Sequence, residues 1–292
     1  MTGLHTRTVD VAGVRGQVLT GGSGPASDAV LFVHGNPGAG ADWMPLLEPV
    51  AEFATVLAPD MPGFGATDKR PEQGFAVPDH AAFLDGVVKE FGAQRVHLVA
   101  HDFGGPFALA WAADHLDQVA SITLIDTGVL LDYRWHRLAR VWRTPGVGEL
   151  AMRMSSPSSV KWLLHHDNPG LSDADVGAIA GHLAPAETRN AVLRLYRSAK
   201  VSRDMPALAQ ALRRFGGDTL VVWGTADVYL SADLAHRQLD VFPNARIELL
   251  PGVGHWAWLE QPERVAELVV PFLARQVVGN TEISETEPRR NA

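Results

Sequence analysis

The chain has 292 residues, of which 46% are hydrophobic and 20% charged, with a formal net charge of −8 and no cysteine. That balance suits a globular protein with one large domain and an insertion, or two modest domains, and no Lys/Arg run marks it for nucleic acid. The lack of cysteine excludes disulfides, thiolate metal sites and a Cys nucleophile, and fits a reducing cytoplasm.

The first ten residues, MTGLHTRTVD, hold no apolar stretch of the kind a signal peptide needs. No apolar run approaches the roughly 20 residues of a membrane span. Arg7 to Thr20 alternates in polarity around Gly13 and Gly16 and reads as a strand pair. Ala29 to Val33 reads as a buried strand, ending in His34-Gly35-Asn36-Pro37-Gly38. Asp42 to Phe53 is predicted helical and Thr55 to Ala58 a strand, followed by the turn-rich PDMPGFGATDKR. Asp79 to Phe91 is predicted as a helix with Asp79 as N-cap and Gly92 as C-cap.

The next stretch, VHLVAHDFGG (96–105), is an apolar strand that breaks at Asp102 before a helical run beginning near Pro106. Strand, tight turn and helix form the layout of a nucleophile elbow, normally G-x-S-x-G, with Asp102 here in the place of the serine. Ser121 to Ile125 is a further strand, ending at Asp126. Strands then cease until Thr219, and 129–215 reads as short helices broken by prolines. Strand Thr219 to Trp223, helix Ser231 to Val241, strand Arg246 to Leu250 and helix Pro262 to Val277 follow. The polar tail from Gly279 to Ala292 is expected to be disordered. Alternating strands and helices argue an α/β fold, with a mostly parallel sheet flanked by helices. The core would comprise 1–128 and 216–278, with a helical cap (129–215) inserted after the sixth strand.

An elbow carboxylate is suited to attack a carbon bearing a good leaving group, forming an ester that water must hydrolyse. Such leaving groups are halides and strained epoxide oxygens. The hydrolysis needs a base, and His255, in PGVGHW, follows a late strand and a Gly-rich turn. An acid must orient that imidazole. Asp227, in WGTAD, is favoured, and Asp126 is the competitor; either is also a plausible turn residue on its own. The backbone N–H groups of Asn36 and Phe103 are predicted to form an oxyanion hole. His34, Trp135, His136, Trp162, His165 and Trp256 are the candidate pocket residues. His165-His166-Asp167 is the densest ligand-like cluster, but no second cluster of known spacing accompanies it, so no metal is expected.

Together HGNPG, DMPGFGATDK, AHDFGG, WGTAD and PGVGHW resemble the α/β-hydrolase superfamily, over nearly the whole chain. The elbow Asp102 narrows the resemblance to the branch of epoxide hydrolases and haloalkane dehalogenases. The resemblance implies no cofactor and a small apolar substrate, acted on by a monomer or homodimer in the cytoplasm, without nucleic acid or membrane. Within the branch two features diverge. Asn36 matches dehalogenases, in which that side chain helps to hold halide. Their second donor is usually a Trp after the nucleophile, and Phe103 stands there without an N–H to give. Epoxide hydrolases use cap tyrosines to protonate the opening ring, and Leu195-Tyr196-Arg197 resembles the segment that carries one. Tyr133, Trp135, His136, His165 and His166 are the possible second donors. Epoxide hydrolysis is therefore the first reading, and haloalkane dehalogenation, with a donor from Trp135, Trp142 or Trp162, the alternative.

Overall fold

The computed structural model describes residues 3–70 and 72–278; the predicted disorder of the tail lies outside them. Eight strands form one sheet: β1 (His5–Val11), β2 (Val14–Gly22), β3 (Asp28–Val33), β4 (Thr55–Pro59), β5 (Arg95–His101), β6 (Val119–Ile125), β7 (Asp218–Gly224) and β8 (Arg246–Leu250). Their spatial order is β1-β2-β4-β3-β5-β6-β7-β8. β1 and β2 are an antiparallel hairpin, β2 runs antiparallel to β4, and β3 to β8 pair in parallel.

The parallel strands are apolar on both faces, as helices on both sides require. β3 shows the consequence of a two-residue period. Leu31 and Val33 enter one core cluster, while Val30 and Phe32 enter the cluster on the opposite face. The first face is covered by α2 (Val77–Phe91) and α3 (Gly104–Asp114), through Phe83, Leu84, Phe107 and Trp111. The second is covered by α1 (Met44–Ala51), α11 (Ala257–Glu260) and α12 (Pro262–Val278), through Leu46, Leu47, Trp258 and Leu268. Trp43 and Trp258 stack there with ring centroids 4.4 Å apart.

Between β6 and β7 lie six helices: α4 (Arg137–Arg143), α5 (Val147–Met154), α6 (Pro157–Asp167), α7 (Asp173–His182), α8 (Ala186–Ser198) and α9 (Val201–Leu212). They bury residues in both core clusters, Tyr196 and Leu195 in one, Leu164 and Ile179 in the other. The insertion thereby seats across the C-terminal ends of the strands. No helix of the described residues is long and apolar enough to cross a membrane.

Two helix boundaries differ from the sequence reading. α2 starts at Val77, and Asp79 sits inside its first turn, where its carboxylate accepts the Ala76 N–H at 2.8 Å. Gly92 does end that helix, at φ 69°, a left-handed conformation that glycine adopts without strain. The helix predicted over Ser231 to Val241 is shorter, α10 (Asp233–Arg237) followed by a 3₁₀ turn (Gln238–Asp240).

Candidate active site

Asp102 stands at the end of β5 with φ +49°, a left-handed conformation that costs a non-glycine residue about 1 kcal/mol. The turn is held open to neighbours only because its surroundings are small. A Cβ on Gly104 would lie 2.1 Å from the Val33 carbonyl oxygen, and one on Gly35 would lie 2.4 Å from Asp102 Cβ. Thr127 Oγ1 donates to the Asp102 carbonyl at 2.6 Å and pins the turn.

The Asn36 N–H donates to Asp102 Oδ1 at 2.8 Å, and the Phe103 amide also hydrogen-bonds the carboxylate. The other oxygen, Oδ2, is 3.5 Å from His255 Nε2. His255 Nδ1 is 2.7 Å from Asp227 Oδ2. Asp227 Oδ1 accepts the N–H groups of Tyr229 (2.7 Å) and Leu230 (3.0 Å), which fixes the carboxylate. These three side chains are 12%, 3% and 0% exposed in the order Asp102, His255, Asp227. Burial opposes charge on the imidazole, but the flanking carboxylates of Asp227 and Asp102 outweigh it and hold His255 well above the ordinary histidine range. Burial likewise opposes charge on Asp102, but its hydrogen bond to His255 and the charge there bring it down to about 2. In the unliganded site, then, an imidazolium lies between two carboxylates.

The backbone of His255 is held from both sides. His101 Nε2 donates to its carbonyl at 2.9 Å, and its N–H donates to Asn168 Oδ1 at 3.1 Å. Asn168, at the C-terminus of α6, is fully buried and also donates weakly to the Tyr229 hydroxyl at 3.5 Å. That hydroxyl donates to Asp167 Oδ2 at 3.1 Å.

Asp126 does not contact His255. Its Oδ1 accepts the Gly224 N–H at 2.7 Å, and its Oδ2 has no hydrogen-bond partner. Burial, then the nearby Asp227, push its carboxyl well above the usual carboxylate range. Asp227, the residue the sequence favours, is the acid that stands against His255, and Asp126 is not.

A cavity of about 330 Å³ opens above Asp102, between the sheet and the insertion. Asn36, His136, Tyr196, His255 and Trp256 line it, as expected, and Trp142 and Tyr229 join them. An adjoining recess of about 20 Å³, on the other side of Asp102, is lined by Phe103, Tyr133 and Trp135. Trp135 therefore reaches the edge of the site and stacks near Phe103, with centroids 6.3 Å apart. Three expected pocket residues lie elsewhere. His34 is buried as scaffold: its Nε2 accepts the Met61 N–H at 2.9 Å and its Nδ1 donates to the Gly35 carbonyl at 2.8 Å. Trp162 is 67% exposed and stacks on His166. His165 turns outward to Asp173, 2.8 Å away. His166 pairs with Asp167, and among the described residues no group of three His, Cys, Asp or Glu could hold a metal ion.

The hydroxyls of the three site tyrosines fall into two kinds, one that donates and two that only accept. Tyr229 gives its proton to Asp167, while Tyr133 accepts the His136 N–H at 3.4 Å. Tyr196 accepts from Asn36 Nδ2 at 3.4 Å and has no acceptor for its own proton among the described residues. Burial, then the charge on Asp102, hold the Tyr196 phenol well above its ordinary value, so it stays protonated. His136 is also defined: its Nδ1 accepts the Ala139 N–H at 3.3 Å, which leaves the proton on Nε2. Sequence reasoning missed Tyr229 as a site residue, although it stands two positions after Asp227 and is one of three tyrosines in the chain.

A family model described as the alpha/beta hydrolase fold matches residues 28–146. The eight-stranded sheet and its flanking helices have the architecture that this match describes. It is 24% identical to a 2-hydroxy-6-oxononadienedioate/2-hydroxy-6-oxononatrienedioate hydrolase of Escherichia coli O139:H28 (strain E24377A / ETEC), over 91% of this chain and 94% of that protein. The haloalkane dehalogenase DbeA of Bradyrhizobium elkani USDA94 superposes with a TM-score of 0.82 at 24% identity, over 94% of this chain and 99% of the other. Epoxide hydrolase A of Mycobacterium thermoresistibile does so at 0.77 and 19%, over 92% and 98%. At these identities the superpositions establish the shared fold.

Proposed function

We propose that this protein opens epoxides to diols through an ester on Asp102. The observation that carries the reading is the Tyr196 hydroxyl, which lines the cavity above Asp102 and has a proton with no acceptor in the protein. Asp102 Oδ1 accepts the Asn36 amide, so Oδ2 attacks an epoxide carbon. The C–O bond of the ring breaks, and the departing alkoxide takes the Tyr196 proton. His136, with its proton on Nε2, is the second donor in the same wall.

Esterification removes the negative charge of Asp102 and with it one of the two carboxylates that raise His255. The imidazolium releases its proton to solvent and becomes a base held by Asp227. Water attacks Cγ, its proton passes to His255, and the developing oxyanion on Oδ1 meets the amides of Asn36 and Phe103. Collapse breaks the Cγ–Oδ2 bond. The product alkoxide takes the proton from His255, the proton of the new carboxylic acid restores Tyr196, and His255 takes a proton back from solvent as the charge of Asp102 returns.

A second reading has its own support. The Asn36 Nδ2 donor and the Trp142 indole line the same cavity. Two N–H donors would suit a departing halide, so haloalkane dehalogenation is the alternative.

One experiment separates them. His255→Gln is expected to accumulate an ester on the elbow peptide. The mass increase equals the whole substrate for an epoxide, or the substrate less hydrogen halide for a haloalkane. In the same background Tyr196→Phe should slow adduct formation from epoxide about 100-fold and leave haloalkane unaffected. An adduct from haloalkane alone selects the second reading, and no adduct from either class removes both.

A further inference from the structure

Beyond the Asp102–His255 pair, the cavity is charged at one other place. Arg189 is the only Lys or Arg in its lining, and Asp102 is the only acid. Arg189 is half-buried at the start of α8. Its Nη1 donates to the carbonyls of Leu183 (2.9 Å) and Ala184 (2.6 Å), which fixes the plane of the guanidinium. No acid pairs with it among the described residues, and its Nε and Nη2 have no partner there. An unpaired cation in an otherwise apolar wall is a costly arrangement unless something anionic joins it.

Its position is set by the helix. Only two residues of α8, Arg189 and Tyr196, line the cavity. They are seven residues apart, two helical turns, so they share a face and stand about 10 Å apart along the axis. Tyr196 lies at the Asp102 end. Arg189 lies toward the mouth, where the exposed Ser155, Ser156, Pro157 and Ala184 form the rim.

Resting on the epoxide reading, we propose that Arg189 is a subsite for a substrate carboxylate, and that the protein takes amphipathic epoxy acids whose two groups lie at opposite ends. The guanidinium receives the carboxylate through Nε and Nη2, a fork that matches its two oxygens. The charge of Asp102 repels the same carboxylate, so the acid end remains at the mouth and the epoxide goes to the nucleophile. Met152, Leu164 and Leu183 line the apolar passage between. An extended chain advances about 1.2 Å per bond, so a separation of about 10 Å corresponds to roughly nine bonds.

The test compares ω-epoxyundecanoate with its methyl ester on the wild type and on Arg189→Gln. The wild type should prefer the acid in kcat/KM, and the variant should lose about ten- to a hundredfold on the acid while keeping its rate on the ester. Equal losses on both substrates would mean that Arg189 only caps the carbonyls of α7. A wild type with no preference for the acid overturns the subsite outright. Calorimetric titration of the wild type with decanoate and decanamide reads the subsite without any reaction. Tighter binding of decanoate that weakens with salt supports it, even if no epoxide turns over and the reaction assignment falls. Equal affinity for the two removes the subsite, even if epoxides are hydrolysed.

Discussion

His136 shows how the fold sets the chemistry of a single side chain. Burial brings its pKa down to about 4, and the Ala139 N–H on Nδ1 leaves the proton on Nε2. Above that pH it is a neutral donor facing the cavity and cannot compete with Asp102 as an anion partner. His136→Phe should slow ester formation about ten- to a hundredfold and leave breakdown of the ester unchanged. In the wild type, ester formation should not vary with pH above about 5, because Asp102 is ionised from about 2 upward and Tyr196 stays protonated. Single-turnover kinetics with acid quench reads both steps; equal slowing of the two would make His136 a packing residue. The residues that were legible in the sequence are those that belong to a local backbone motif. Asp102 is carried by its elbow, His255 by its Gly-rich turn and Asp227 by the strand before it. His34 has the same kind of local context, but its ring turns back to the Met61 amide, and no pattern in HGNPG gives that orientation. Trp162 and His165 failed for a related reason. Short proline-broken helices do not show which face meets the core, and these two residues occupy the outer one.

At the scale of elements, the C-terminus of α6 and the loop after β8 act together. Asn168 belongs to the insertion, yet its Oδ1 holds the backbone N–H of His255. Asn168→Ala would leave that buried N–H without an acceptor, a cost of about 1–3 kcal/mol. Hydrolysis of the ester should slow more than its formation, because only hydrolysis depends on the alignment of the imidazole with water. Intact-mass spectra during turnover should then show the ester accumulating, and Asn168→Asp, which keeps the acceptor, should reduce that accumulation. Equal slowing of both steps would make Asn168 a general structural residue. The contact spans 87 positions of chain, which is why no local pattern announced it.

At the scale of the whole molecule, the insertion is fastened to the sheet domain by a second contact away from the site. His182 Nε2, at the end of α7, lies 2.9 and 3.0 Å from the two oxygens of Asp42. Burial opposes protonation of His182, but Asp42, and behind it Asp60, raise it above the ordinary value of 6.5. A histidine raised on folding contributes stability that is complete below its unfolded pKa and is lost as pH rises through the higher folded one. The pair is mostly buried, and its contribution is about 1 kcal/mol. Urea unfolding should therefore show wild type above His182→Asn by that margin at pH about 6, and the gap should close by pH about 9. A gap that does not change with pH would mean that the contact contributes through packing alone.

The two oxygens of Asp102 are not interchangeable. One accepts the Asn36 N–H; the other faces His255 and is free to bond carbon. In the proposed cycle the free oxygen departs with the diol, and water replaces it. The enzyme thus gives its product an atom taken from solvent one turnover earlier. Only one position of the carboxylate is renewed this way, while the oxygen that accepts the Asn36 N–H remains the one incorporated when the chain was made.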